Sequence, residues 1–318
     1  MTAPNYTDDE LVEAWNKLGS ATLVAKHLNT HKTGVLGRRR AVEKRRGIEL
    51  KAWNSQRPEA VKSRKPGRIE AKLYDGICII FSDAHYQPNN ISTAHKALLR
   101  FIKELHPQII INNGDAADFS TISKHQRIGW DNSPTVAEEI KEVQDRLGEI
   151  ENISKGILIW CLGNHDARLE TAISNVLPQL EKLHGTSLKD HFPRWQPCWS
   201  VFINDDVVVK HRYKSGIHAT HNNTVTSGRT LCTGHLHSLK VTPYTDYNGT
   251  RYGVDCGTLA CPTDAQFSGY LENNPTNWRS GFVVLTFKEG KLLPPELVQV
   301  WGDEDDSQVT FRGAIIPV

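Results

Sequence analysis

No apolar run in this 318-residue chain approaches the roughly 20 residues that a membrane-spanning helix needs, so no membrane partner is expected. The opening residues are polar, with acids soon after Tyr6, and lack the basic-then-apolar pattern of a secretory leader. Six cysteines are present, but none is arranged as Cys-x-x-Cys. Cys78 and Cys161 fall inside apolar runs, where reduced, buried thiols are expected. A cytoplasmic protein is the expectation. Hydrophobic residues at 38% and charged residues at 23% exclude a disordered chain and describe a globular one.

Net charge is also nearly absent, at +2, yet it is unevenly spread. Residues 1–70 hold 15 Lys and Arg against 8 Asp and Glu, while the remaining residues hold 23 against 28. A basic segment joined to a mildly acidic body suggests a polyanion as partner for the former. Thr7-Asp8-Asp9-Glu10 is a capping-box signal, followed by Leu11, Trp15 and Leu18 at helical spacing up to Gly19. Ser20 caps a second short helix, and after a polar turn Thr33 is positioned to cap a third that runs to Arg46 and closes at Gly47. Three short helices in this arrangement resemble a helix-turn-helix domain. The third presents Arg38, Arg39, Arg40, Lys44, Arg45 and Arg46, with Val35, Leu36 and Val42 left for a core. That density of cations suits phosphate neutralisation on DNA, and less so RNA; a solvated basic face is the plainer alternative. Residues 48–70, with Pro58, Pro66, Gly67 and scattered basic residues, read as an extended linker.

From Gly76 the pattern changes. Ile77–Phe81 is a continuous apolar run ending at Ser82 and Asp83, and Ile109–Ile111 ends at Asn112, just before Gly114-Asp115. Ile157–Trp160 ends near Gly163-Asn164, and Val207–Val209 ends at Lys210 and His211. Such runs predict strands buried on both faces. Helices are expected over 92–105, 135–153 and 167–183, the last broken at Pro178, which makes this an α/β chain. Polar clusters therefore gather at the carboxyl ends of strands: Asp83-Ala84-His85, Gly114-Asp115-Ala116-Ala117-Asp118, Gly163-Asn164-His165-Asp166, His211 and Gly234-His235-Leu236-His237.

These residue types suit a pair of cations. A bridging carboxylate holds two metals about 3.5–4 Å apart, close enough to share a hydroxide that attacks phosphorus in line. Imidazoles and an amide add ligands without adding negative charge. The glycines before Asp115, Asn164 and His235 are expected to let the backbone turn sharply. In His235-Leu236-His237 an extended backbone would send the two rings to opposite sides.

The ordered set resembles the calcineurin-like metallophosphoesterase family over roughly residues 76–300. The resemblance implies a four-layer α/β/β/α sandwich, here behind a small all-α helix-turn-helix-like domain. The expected layout is 1–47 for that domain, 48–70 for the basic linker and 71–318 for the catalytic body. It also implies two divalent metals, Mn²⁺ first, although the ligands equally accept Fe, Zn²⁺ or Ni²⁺. Asp83, His85 and His237 would hold one, Asn164, His211 and His235 the other, and Asp115 both. His211 is followed by Arg212 where the family has Gly, and His218 and His221 are nearby alternatives. By the same resemblance His165 protonates the leaving oxygen, Asp118 orients it, and Arg168 clamps phosphate; Asp166 is expected to tighten its loop. The segment Phe119–Trp130 is expected as either a substrate-reading lid or a structural loop. A phosphoesterase for nucleic acid, a nuclease or DNA-end phosphatase, is the leading expectation. The alternatives are nucleotides, small phosphoesters or phosphoproteins, with the basic domain serving only to localise the enzyme.

Overall fold

The structure, a computed structural model, describes residues 6–50, 58–124, 133–272, 274–302 and 307–318. Residues 125–130 of the expected lid lie outside the described residues.

Three helices open the chain: α1 (Asp8–Leu18), α2 (Ala21–His27) and α3 (Lys32–Arg46). The capping box forms as expected, with the Thr7 hydroxyl accepting the Glu10 N–H and the Glu10 carboxylate accepting the Thr7 N–H at 2.6 Å. Gly19 and Gly47 end α1 and α3 in the left-handed conformation. Thr33 is not a cap: α3 begins at Lys32, and His31 precedes it in extended conformation without a side-chain bond. Leu11, Ala14, Trp15, Val24, Ala25, Val35, Val42 and Leu50 close into a small core of their own, with Leu36 only partly buried against it.

The stretch expected as an extended linker instead contains strands β1 (Glu59–Lys62) and β2 (Arg68–Lys72), paired antiparallel. Their signal is faint because β1 is a largely exposed edge strand, whereas β2 alternates and buries only Ile69 and Ala71. The body continues through β3 (Gly76–Phe81), α4 (Thr93–Leu105), β4 (Ile109–Asn112), α5 (Val136–Ile153) and β5 (Ile157–Cys161). Next come α6 (Arg168–Val176), which stops before Pro178, α7 (Leu188–His191), β6 (Gln196–Cys198), β7 (Ser200–Ile203) and β8 (Val207–Val209). The remainder is α8 (Ala219–Ser227), β9 (Thr230–Thr233), β10 (Lys240–Asp246), β11 (Gly249–Asp255), α9 (Ser268–Leu271), β12 (Gly281–Lys288), β13 (Lys291–Leu292), β14 (Glu296–Trp301), β15 (Gln308–Phe311) and β16 (Ala314–Ile316).

Two sheets form. One runs β1-β2-β7-β8-β9-β11-β10, and the other runs β16-β15-β14-β12-β3-β4-β5-β6 with β13 on β12. Strands β3 to β6 are parallel, as continuous apolar runs joined by helices require. Their two faces divide cleanly. Ile79, Phe81 and Ile110 join Leu98, Phe101, Val143 and Leu147 of α4 and α5, while Cys78, Ile80, Ile109 and Ile111 meet Val201, Ile203, Val207 and Val209 of the facing sheet. Helix α8 covers the other sheet so closely that a Cβ on Gly253 would sit 2.0 Å from the Thr220 carbonyl oxygen. The result is an α/β/β/α sandwich. Strand β12 pairs antiparallel with β3 beside the site.

Candidate metal centre

The carboxyl ends of β3, β4, β5, β8 and β9 bring the five polar clusters together. Ligand atoms of Asp83, His85 and His237 lie within 4.8 Å of one another, and so do those of Asp115, His211 and His235. Asp83 Oδ1 meets His237 Nε2 at 3.0 Å, and its Oδ2 accepts the His235 N–H at 2.9 Å. Asp115 Oδ2 lies 3.0 Å from His211 Nε2, and its Oδ1 accepts the His165 N–H at 2.8 Å. Asn164 sits between Gly163 and His165 with its Oδ1 buried. Neither His218 nor His221 joins this group: His218 is exposed before α8, and His221 packs edge-on to Tyr244.

Fit to a pair of cations can be judged from what the donors lack. Both ring nitrogens of His85, Nδ1 of His237 and Oδ1 of Asn164 are buried with no hydrogen-bond partner. Each such group costs about 1–3 kcal/mol unless something else satisfies it. His211 Nδ1 faces the Asn113 carbonyl oxygen at 2.7 Å, so Nδ1 donates and Nε2 is the nitrogen turned toward the carboxylates. Carboxylates, neutral imidazoles and one amide form a mixed oxygen and nitrogen set suited to divalent first-row metals. Without an ion the carboxylates act on the imidazoles. Burial opposes a charged His211, but Asp83 and Asp115 push its pKa up to about 9. Burial likewise opposes the Asp115 charge, yet His211, His165 and His85 hold its carboxyl below the usual range. A bound cation would reverse the first of these shifts.

Backbone strain marks the same residues. Asp83, His85, Asp115, His235 and His237 all have φ between 41° and 72°, a region that costs non-glycine residues on the order of 1–3 kcal/mol each. The loop carrying His235 and His237 is therefore a tight turn, with the Leu236 N–H donating to the Gly234 carbonyl at 2.9 Å. The two rings do part toward different halves of the site, but the extended geometry expected for them is absent. The preceding glycines also serve differently than expected. Only Gly114 has a positive φ, whereas a Cβ on Gly163 would lie 2.0 Å from Asp115 Oδ1 and one on Gly234 would lie 2.0 Å from Ser82 Oγ. At those two positions close approach, not turning freedom, selects glycine.

An outer set of acids holds the loops. Asp166 accepts N–H bonds from Asp115 at 2.8 Å, Ala116 at 3.0 Å and Gly163 at 2.8 Å, plus Trp160 Nε1 at 2.9 Å, which is the loop-tightening role expected of it. Glu139 on α5 accepts the N–H groups of Asp118 at 3.0 Å and Phe119 at 2.6 Å, and burial pushes its pKa up to about 7. Asp255, ending β11, accepts from the Ser238 N–H at 3.1 Å and the Gly257 N–H at 3.0 Å; burial pushes it up to about 6. Sequence reading missed both. Glu139 lies on the same face of α5 as Val143, Leu147 and Ile150, a spacing that announces burial. Asp255 ends a strand, as the ligand carboxylates do.

His165 Nδ1 is hydrogen-bonded to the Asp118 carboxylate, and its Nε2 lies 3.8 Å from Asp115 Oδ2. Arg168, expected as a phosphate clamp, donates from Nη1 to the Asp118 carbonyl at 2.7 Å, with Nη2 3.4 Å from His165 Nε2. Of the six α3 residues expected to meet phosphate, four are engaged within the helical unit. Arg38 and Arg45 bind Asp8, Arg46 binds Asp9 at 2.6 Å, and Arg39 binds Glu43 at 2.9 Å while lying over the Trp15 ring. Arg40 and Lys44 are exposed and enter no ion pair among the described residues.

A family model for calcineurin-like phosphoesterases matches residues 78–250, more than half of the chain, and the chain belongs to that family. It is accordingly a metal-dependent hydrolase of phosphoester bonds. Among solved structures it is similar to wild-type Vps29 of Entamoeba histolytica complexed with Zn²⁺, at 12% identity over 76% of this chain and 96% of that one, with a TM-score of 0.38. YfcE, a phosphoesterase from E. coli, is 16% identical over 69% of this chain and 97% of its own, with a TM-score of 0.31. The nuclease MPE of Pseudomonas putida is 12% identical over 74% of this chain and 99% of its own, with a TM-score of 0.26. Likenesses this distant carry no argument about substrate. No curated protein matches the chain.

Proposed function

We propose that the protein hydrolyses phosphoester bonds in nucleic acid, DNA ahead of RNA, as a nuclease or an end-processing phosphatase. The observation that carries the substrate class is the basic helical unit α1–α3, where Arg40 and Lys44 stand exposed with no acidic partner among the described residues and Arg45 and Arg46 form exchangeable surface pairs. Its resemblance to a helix-turn-helix domain supports DNA. Asp83, His85 and His237 would hold one divalent cation, Asn164, His211 and His235 the other, with Asp115 between them. Bound there, a pair of such ions, Mn²⁺ first, supplies charge neutralisation for the phosphate and water of lowered pKa for in-line attack.

The chain's own residues do the rest. His165 presents Nε2 for proton delivery to the leaving oxygen because Nδ1 faces Asp118. Asp118 fixes the orientation of that ring. Arg168, anchored on the Asp118 carbonyl, steadies the pair and adds positive charge beside it. Six free cysteines support a reducing, cytoplasmic setting.

A second reading, hydrolysis of nucleotides or other small phosphoesters, is favoured by the ion pairs that already occupy Arg38, Arg39, Arg45 and Arg46. A panel of single-stranded, double-stranded and end-phosphorylated DNA and RNA, assayed with Mn²⁺ beside bis(p-nitrophenyl) phosphate, separates the two. Turnover of a nucleic acid with higher kcat/KM than the chromogenic diester is the expected result. Cleavage of the diester and of free nucleotides alone would establish the second reading.

A further inference from the structure

The loop that carries His211 away from β8 holds three cations that the chemistry above does not use: Lys210, Arg212 and Lys214. Arg212 and Lys214 are exposed and Lys210 is half-buried. Lys210 Nζ lies over the Tyr213 ring at 5.1 Å and Lys214 Nζ donates to Thr226 Oγ1 at 2.7 Å, but none of the three meets a carboxylate among the described residues. The loop is firmly placed. The Lys210 N–H donates to the Cys232 carbonyl at 3.1 Å, the His211 carbonyl accepts the Gly234 N–H at 3.0 Å, and the buried Asn223 side chain of α8 accepts the Lys214 N–H at 3.0 Å. Arg212 thus stands one residue, about 3.8 Å of backbone, beyond a candidate metal ligand. The His211 ring meets that of His235, an exposed ligand, at a centroid distance of 5.4 Å. Burial and then His211 lower the His235 pKa, and Arg212 is near enough to add to that lowering.

Exposed like charges repel within a Debye length, about 10 Å at 0.1 M salt, and no described acid offsets these three. Their field is left for an anion. The scissile phosphate belongs to the metal pair, so cations at the rim of the His211 and His235 half-site serve a substrate that brings a second phosphate. An arginine fork can take two oxygens of one phosphate, which the glycine expected after His211 could not do. Resting on the nucleic-acid reading above, we propose that Arg212, with Lys210 and Lys214 beside it, holds the phosphate next to the scissile one. The substrate is then a strand gripped at two consecutive phosphates and not an isolated phosphoester.

The competing accounts are a solvated loop without a role and a general attraction of polyanions to basic surface. The full-length protein with Mn²⁺ is assayed on thymidine 5′-phosphate and thymidylyl-thymidine, each with one phosphate, and on 5′-phosphorylated oligodeoxythymidylate, whose every phosphate has a neighbour. The wild type should favour the oligonucleotide by about tenfold or more in kcat/KM, in keeping with one charge-assisted contact. Arg212→Ala should erase most of that preference with bound metal kept, and Arg212→Lys should retain much of it. In the alanine variant the log–log salt slope of kcat/KM on the oligonucleotide should fall by about 0.7, the value for one single-strand phosphate contact. Lys103→Ala removes the same charge from the last turn of α4, at the far end of the sheet, and should leave the preference intact. An alanine variant that loses all three substrates in equal measure, a preference that Lys103→Ala lowers as far as Arg212→Ala does, or an unchanged salt slope would overturn the inference. So would thymidine triphosphate, which has neighbouring phosphates but no strand, if its turnover alone depends on Arg212. A strand cleaved equally well without Arg212 sinks this inference and leaves the nucleic-acid reading standing. If the wild type hydrolyses bis(p-nitrophenyl) phosphate but no strand or duplex, the nucleic-acid reading fails and this inference falls with it.

Discussion

The helical unit and the catalytic body treat their polar groups in opposite ways. On α3 the arginines find carboxylates: Arg38 and Arg45 share Asp8, Arg46 takes Asp9, and Arg39 takes Glu43. Around the site, both His85 nitrogens, Nδ1 of His237 and the Asn164 oxygen are buried and unpartnered, on a backbone strained at five ligand positions. Exposed ion pairs contribute about 0–1 kcal/mol and exchange readily with phosphate oxygens. Buried orphans cost about 1–3 kcal/mol each and persist only when something absent repays them. The body is thus committed to a ligand, whereas the helical unit is self-sufficient and can bind only by exchange.

The sharpest way to break this contrast is at the carboxylate between the two half-sites. Asp115→Asn should lower kcat on the order of a thousandfold and reduce bound metal, as measured by turnover and by metal analysis of the purified variant. His165→Ala should lower kcat by roughly 10²–10⁴ with metal content kept. Its deficit should shrink on p-nitrophenyl esters, whose leaving group needs no proton, and equal deficits on all leaving groups would deny it the acid role. Asp255→Ala releases the Ser238 and Gly257 N–H groups beside the His235–His237 turn, so metal affinity should fall about 10–100-fold in a titration while the fold survives.

A milder test uses Glu139. Its folded pKa, near 7 against an ordinary 4.5, means that between these values the folded chain holds a proton the unfolded chain has released. Stability therefore falls as pH rises through that window and levels off above it. Glu139→Gln keeps an acceptor oxygen for the Asp118 and Phe119 N–H groups and should flatten that fall in urea denaturation from about pH 5 to about pH 8. The smallest effects belong to the helical unit. Arg40→Ala with Lys44→Ala should lower the log–log salt slope of duplex binding by about 0.9 per lost phosphate contact. Arg45→Ala should change stability by less than about 1 kcal/mol, and a larger loss would show that the ion pairs, not exchange with phosphate, are that unit's purpose.

Much of the body is legible in the sequence. Residues 77–81, 109–111, 157–160 and 207–209 are strands because continuous apolar runs have no other way to bury both faces, and each donor cluster follows one of them or β9. Helix α5 and the break at Pro178 were equally plain, since period, cap and imino acid agree there. What stayed hidden depends on contacts between segments distant in sequence. Nothing near Gly163 reveals that Asp115 crowds it, and nothing near Trp278 reveals that it meets His237. Strands β1 and β2 were lost for a different reason: an exposed edge strand rich in Glu and Lys carries no apolar pattern to read.

The central claim is that the unpartnered donors of the body exist to hold two cations. Metal-free protein titrated with Mn²⁺ in a calorimeter, with hydrolysis of bis(p-nitrophenyl) phosphate followed in parallel, tests it directly. Two ions bound per chain, with activity rising only as they bind, is the predicted result. Hydrolysis that persists in excess chelator, or a chain that binds no Mn²⁺ while Asp115→Asn turns over as the wild type does, would contradict it.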